Sequence, residues 1–246
     1  MRRWMTTAPS PSHVAHVDFS PVLACSPGSL ASPTFAAQQT INEIGLACST
    51  TGFVFLSNCG RLQGLGTEVL NLSKLYFAQS LEVKQQCLTP NGQRGYYRYV
   101  SAALDKDSIE AFNVGHPTHP TTSQREAYFT KRYGPDSEHV WRSLVGADQN
   151  RWPTLDALTE GANFQSLLTE YYMLCQHTSE LVLECLAIYM GLPHKRFRQL
   201  HKRADHNLEV KYYPTLSSAG LSTNMVSPDA ETRLPVHTDL SSVKLA

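Results

Sequence analysis

Between Phe164 and Tyr189 apolar residues return at steps of three and four: Phe164, Leu167, Leu168, Tyr171, Tyr172, Cys175, Leu181, Val182, Cys185, Leu186 and Tyr189. That spacing follows the turn of an α-helix and lays an apolar stripe along one side of it. Gly191 and Pro193 then stop the helix. A helix this long with a single apolar side needs a core to lie against, so the aromatic residues of the stripe read as packing rather than as cofactor contacts.

The chain has 246 residues, 41% of them hydrophobic, enough to bury a core in one large domain or two small ones. Lys plus Arg equals Asp plus Glu, and no basic run is interleaved with aromatic residues, so nucleic acid is not an expected partner. The opening MRRWMTTAPSPSHVAHV carries two arginines but no apolar stretch after them, and nothing further on approaches a membrane span. The expectation is a cytoplasmic, monomeric protein with a small-molecule substrate and no membrane partner. Six cysteines without CxxC spacing read as free thiols, mostly buried, rather than a disulfide framework or zinc cluster.

Residues 1–13, rich in Pro, Ser and Thr, read as a loose tail. A first strand is expected near HVDFSPVLA, followed by a helix over Phe35 to Thr50, begun at Ser32-Pro33, with Phe35, Ile41, Ile44 and Cys48 on one side. GFVFLSNCG reads as a buried strand. A second helix would carry Val69, Leu72, Leu75, Tyr76 and Leu81 on one side, entered by GRLQGLG, a loop without the ending or spacing of a phosphate cradle. Thr89 to Pro153 is a long irregular stretch, the kind that packs over an active-site mouth. After the long helix, NLEVKYYP and LPVHTDLSSVKL read as strands.

The residues that could carry chemistry are His237 and Asp239. On a strand, residues two apart project from the same face, which sets an imidazole beside a carboxylate. Such a mixed nitrogen and oxygen pair suits Fe(II), with a third ligand from elsewhere, although a plain hydrogen-bonded His and Asp is equally compatible with the spacing. A second His-x-Asp, His16 and Asp18, reads as the exposed polar edge of the first strand. His116, His119, His201 and His206 read as solvated loop or edge histidines.

The whole chain resembles the non-haem iron, 2-oxoglutarate-dependent dioxygenases, in the branch that includes isopenicillin N synthase. VDFSP looks like the family's opening strand, and ACSTTGFVFLSNCG resembles its Ala-Cys, Gly-Phe-Phe, Asn-His-Gly block with Cys59 in place of the histidine. SKLYFAQSLEVKQQ, RGYYRY, IEAFNVG, NRWP, MGLPHKRF and EVKYYP follow in the family's order, and HTD falls where its first two iron ligands lie. The resemblance implies an α+β fold in which an N-terminal strand and helix region and the long helix flank a distorted jelly-roll (double-stranded β-helix) barrel. It divides the chain into the tail, a dioxygenase N-terminal region over 14–153, and a region over 154–246 holding the long helix and the first part of the jelly roll.

The same resemblance implies oxidation of a small molecule by hydroxylation, desaturation or ring closure. Fe(II) would be held by His237 and Asp239, 2-oxoglutarate would be the cosubstrate, and ascorbate could assist. Tyr213 matches the family's cosubstrate-binding tyrosine, while Lys211 stands where an asparagine is usual. The family's second iron-binding histidine and its Arg-x-Ser pair lie well beyond the aspartate, yet seven residues follow Asp239. The expectation is therefore a chain incomplete at its C-terminus and inactive by itself, or a non-catalytic scaffold or partner-binding form.

Overall fold

The computed structural model describes residues 14–25, 29–89, 94–101, 106–117, 149–154, 158, 161–201, 206–214 and 242–245, with single positions at 127, 130, 131, 134 and 135. The tail at 1–13 lies outside them, as do residues 234–241 of the strand expected around LPVHTDLSSVKL, whose described end, 242–245, is not strand. In chain order the elements are β1 (Ala15–Asp18), α1 (Ser20–Leu23), a 3-10 turn (Ser29–Ala31), α2 (Phe35–Thr50), β2 (Val54–Ser57), α3 (Arg61–Phe77) and α4 (Leu81–Gln85). Then come β3 (Gly95–Ser101), β4 (Lys106–Val114), α5 (Gly161–Tyr189), α6 (Arg196–Leu200) and β5 (Leu208–Tyr212). They form two compact units, one of residues 1–64, 174–203 and 242–246, the other of 65–173 and 204–241.

In the first unit β1 and β2 pair in parallel, Ala15 opposite Val54 through Asp18 opposite Ser57. A parallel pair needs a crossover, and α1 and α2 supply it. The α2 span matches the sequence reading, but the helix is capped by Thr34 rather than begun at Ser32-Pro33. The Thr34 hydroxyl accepts from the Ala37 N–H at 3.2 Å, which satisfies a backbone donor that proline cannot. Ile41 and Ile44 are fully buried, whereas Phe35 is 80% exposed, because the first turn overhangs the core. Val17, Phe19, Val22, Leu30, Ile41 and Ile44 pack with Val182 and Cys185 of α5. Gly45 lets α2 approach closely: a Cβ there would lie 2.0 Å from the Tyr189 ring.

β2 is half-buried rather than buried. Val54 and Leu56 pack on the core cluster, while Phe53 and Phe55 face solvent and the Phe55 ring stacks on His16 at 4.8 Å. The strand has one partner and one covered face, so alternate residues are left outside. The cysteines are free, as expected, but only Cys87 and Cys185 are buried and the other four are partly exposed.

The second unit corrects two readings. The helix expected to run through Leu81 is two helices, because Ser80 caps α4 by accepting from the Val83 N–H at 3.4 Å. Val69 and Tyr76 are buried and Leu72 packs against them, but Leu75 and Leu81 are exposed. GRLQGLG is not an entry loop, since α3 already starts at Arg61. The stretch from Thr89 is not wholly irregular either: β3 and β4 form an antiparallel pair that β5 extends in the order β3-β4-β5.

One face of that sheet is the core face. Tyr96, Phe112 and Val210 lie in register across it. They meet Val69, Tyr76 and Phe77 of α3 and Phe164, Leu168 and Tyr172 of α5, so the long helix buries its stripe as its spacing predicts. The rings of Tyr76, Phe112 and Phe164 are mutually 5.0 Å apart, two edge-on contacts and one stacked, which favours them beyond area burial alone. Two polar clamps fix the ends of the strands. Asn150 exchanges hydrogen bonds with the Gly115 backbone at 2.7 and 2.8 Å, and the buried Arg94 donates to Asn207 Oδ1 at 2.9 Å.

Candidate functional site

A strand sends alternate side chains to opposite faces, so the register that buries Tyr96, Phe112 and Val210 necessarily turns their neighbours the other way. Those neighbours are Tyr97 opposite Ala111 opposite Lys211, and Gly95 opposite Asn113 opposite Glu209. Tyr213, just past the end of β5, continues the alternation of Glu209 and Lys211. The sheet therefore has an aromatic core face and a polar face.

The polar face is wired together. The Tyr97 hydroxyl donates to Glu209 Oε1, and Lys211 Nζ sits 3.0 Å from Glu209 Oε2, so both carboxylate oxygens are engaged. Burial pushes the Tyr97 phenol well above the usual tyrosine range, helped by its hydrogen bond to Glu209, by the Glu209 charge and, least, by nearby Tyr213. That influence places Tyr213 within electrostatic reach of the cluster, and its ring is 39% exposed. Asn113 is half-buried, and its Oδ1 is closed to solvent with no hydrogen-bond partner among the described residues. Small residues, Gly95 and Ala111, flank it.

His237 and Asp239 lie outside the described residues. Among the described residues no group of three or more His, Cys, Asp and Glu comes together in a way that could hold a metal ion. The donor types of His237 and Asp239, an imidazole nitrogen and a carboxylate oxygen, fit Fe(II). His16 and Asp18 are exposed on β1, as expected of a polar edge. Asp18 accepts from the Ser20 N–H at 2.9 Å and from Asn58 at 3.1 Å, and these bonds, the Ser20 backbone contact first, hold its carboxyl below the usual aspartate range.

Three of the other histidines are less solvated than expected. His116 is half-buried with its ring edge-on to Tyr172 at 5.9 Å, and both His201 ring nitrogens are engaged, Nδ1 with the Phe197 carbonyl at 2.8 Å and Nε2 with Ser242 Oγ at 2.9 Å. His206 is half-buried, and its carbonyl accepts from the Tyr172 hydroxyl at 3.3 Å. His119 lies outside the described residues. Sequence reasoning passed over Tyr97, Asn113 and Glu209. The signal was present in NLEVKYY, where apolar Leu208, Val210 and Tyr212 alternate with Glu209, Lys211 and Tyr213.

A family model described as the N-terminal region of the non-haem dioxygenase in morphine synthesis matches residues 17–154. The chain belongs to the non-haem dioxygenases. Its relatives include the 2-oxoglutarate-dependent dioxygenase frbA of Dothideomycetidae sp. (strain 11243), 21% identical over 210 residues that cover 85% of this chain and 57% of that one. Clavatol oxidase claD of Penicillium crustosum is 30% identical over 156 residues, 62% of this chain and 44% of that relative. The non-haem dioxygenase chain thus spans about half the length of the curated relatives it matches.

Solved structures agree on the fold. Neurospora crassa T7H in complex with alpha-KG superposes with a TM-score of 0.59 at 20% identity, covering 82% of this dioxygenase and 54% of T7H. A 2OG-Fe(II) oxygenase family protein from Caulobacter crescentus gives 0.59 at 21%, covering 82% and 56%. Among the described residues no helix is long and apolar enough to cross a membrane.

Proposed function

We propose that this dioxygenase takes part in Fe(II)- and 2-oxoglutarate-dependent oxidation of a small molecule, with the polar face of β3-β4-β5 lining the inside of a jelly-roll barrel. The observation that carries the reading is the polar face itself: a sheet with one aromatic core face has turned Tyr97, Asn113, Glu209, Lys211 and Tyr213 together on the other. His237 and Asp239 would hold the iron, which when bound supplies oxygen activation coupled to decarboxylation of 2-oxoglutarate to succinate.

The chain's own residues have simpler tasks. Tyr213 would donate its phenolic hydrogen to a carboxylate of the cosubstrate. Lys211 and Glu209 form a compensated pair at 3.0 Å, which keeps the wall beside it close to neutral. Tyr97 fixes the Glu209 carboxylate with which Lys211 pairs.

Calorimetric titration of the full chain with 2-oxoglutarate in the presence of Mn(II) as a redox-silent stand-in tests the assignment. Saturable binding that falls about tenfold or more in Tyr213→Phe, and Mn(II) binding lost in His237→Ala and Asp239→Ala, is expected; wild-type affinities in all three variants would refute it. Succinate release under iron and oxygen then separates a catalytic chain from one that binds without turnover, the scaffold class.

A further inference from the structure

Helix α6 ends on a histidine whose two ring nitrogens have separate tasks. His201 Nδ1 lies 2.8 Å from the Phe197 carbonyl oxygen, and Nε2 lies 2.9 Å from Ser242 Oγ. A carbonyl only accepts, so Nδ1 carries the ring hydrogen, and in the neutral ring Nε2 is left to accept from the Ser242 hydroxyl. The helix beneath the ring is itself tied down: Arg198 donates to Glu184 of α5 at 3.0 Å and pairs with Glu180 at 2.8 Å. Next to Ser242, Val243 packs against the apolar cluster that holds Val182 and Cys185. One polar and one apolar contact thus seat the chain at these two residues.

Asp239 precedes Ser242 by three residues and His237 precedes it by five. Three residues of extended chain span at most about 11 Å and five about 18 Å, so the seat bounds where both side chains can stand. We infer that His201 is a positioning residue for the metal site: its ring holds Ser242, and Ser242 restricts the His237 and Asp239 donors before an ion arrives. Freedom removed from the donors beforehand is not lost again on binding, so the seat acts on metal affinity without touching the metal. This role rests on the reading of His237 and Asp239 as ligands.

The test is calorimetric titration of the full chain with Mn(II), with thermal melts alongside. Two substitutions separate the tasks of the ring. His201→Asn keeps a donor where Nδ1 stands and does not reach Ser242, whereas His201→Gln puts its carboxamide oxygen near the Nε2 position and still accepts from Ser242. Mn(II) affinity weaker by roughly threefold to tenfold in Ser242→Ala and His201→Asn, and close to wild type in His201→Gln, is expected, the range that one net hydrogen bond supplies. Wild-type affinity in Ser242→Ala, or His201→Asn binding as well as His201→Gln, overturns the role and leaves the ring as a helix cap. Because Ser242 is exposed, Ser242→Ala decides the matter even where a ring variant fails to fold. Binding that needs His237 and Asp239 but ignores Ser242 removes the positioning role alone. Binding that survives His237→Ala and Asp239→Ala, or no binding by the wild type, removes the ligand reading and this role with it.

Discussion

Lys84 and Glu110 form an ion pair at 2.5 Å beneath the core face of the sheet, with side chains only 8% and 12% exposed. The pair is also hydrogen-bonded on both sides: Lys84 Nζ donates to the Phe77 carbonyl at 3.1 Å, and the Tyr96 hydroxyl donates to Glu110 Oε2 at 2.8 Å. It ties α4 to β4 and β3 across a region otherwise filled by aromatic rings. Removing one member strands the other charge, so Lys84→Met should cost about 3–5 kcal/mol in urea unfolding. Lys84→Met with Glu110→Leu should cost less than Lys84→Met alone, and a larger loss in the double variant would show that the pair is not the source of the penalty.

Helix α2 meets α5 through a residue without a side chain. A Cβ at Gly45 would lie 2.0 to 2.5 Å from three atoms of the Tyr189 ring, closer than any real contact. Gly45→Ala should therefore lower the melting temperature measurably, while Gly64→Ala, in α3 with nothing within 4 Å, should raise stability by up to about 1 kcal/mol. Paired thermal melts of the two variants make the comparison.

Cys185 gives a pH signature. Burial, then the Glu184 and Cys25 charges, push its thiol up to about 12 from an ordinary value of 9.0. Below pH 9 the thiol is protonated folded and unfolded alike, and its contribution to stability is whole. Between pH 9 and about 12 the unfolded chain releases the proton and the folded one keeps it, so that contribution is lost as pH rises. The fall in unfolding free energy over that window should be shallower in Cys185→Ala than in the wild type.

On the polar face, Tyr97→Phe removes one of the two contacts on the Glu209 carboxylate and leaves the Lys211 pair. The loss should be modest, about 1 kcal/mol, because the group left unmatched is partly reached by water. Chemical denaturation of Tyr97→Phe beside Tyr96→Phe, whose hydroxyl lies on the core side, should show the larger loss in the latter.

How much of this was legible depends on which forces leave marks in local sequence. The long helix was plain because its stripe faces one core, and α2 was placed to the residue. Phe35 and Phe53 misled because an apolar side chain says nothing of where the layer beside it stops. β3 and β4 were lost among glycines and prolines, since their pairing is with each other and with β5, far along the chain. The helix start in GRLQGLG was hidden by Gly64 and Gly66, whose low propensity tertiary context overrides. Of the site, Tyr213 was found through resemblance and Glu209 is marked by the alternation in NLEVKYY, whereas Asn113 becomes visible only when register puts it beside Glu209.

The apolar cluster under β1 and α2 is closed by Val182 and Cys185, which are made long after the strands they shield. At ordinary rates of translation, roughly a hundred or more residues take several seconds or longer to follow, and through that interval the inner sides of Ile41 and Ile44 have no cover. A nascent chain of this dioxygenase therefore emerges with its first layer sticky, and its yield in the cell should depend on holdase capacity and on ribosome speed across the codons between β2 and the latter part of α5.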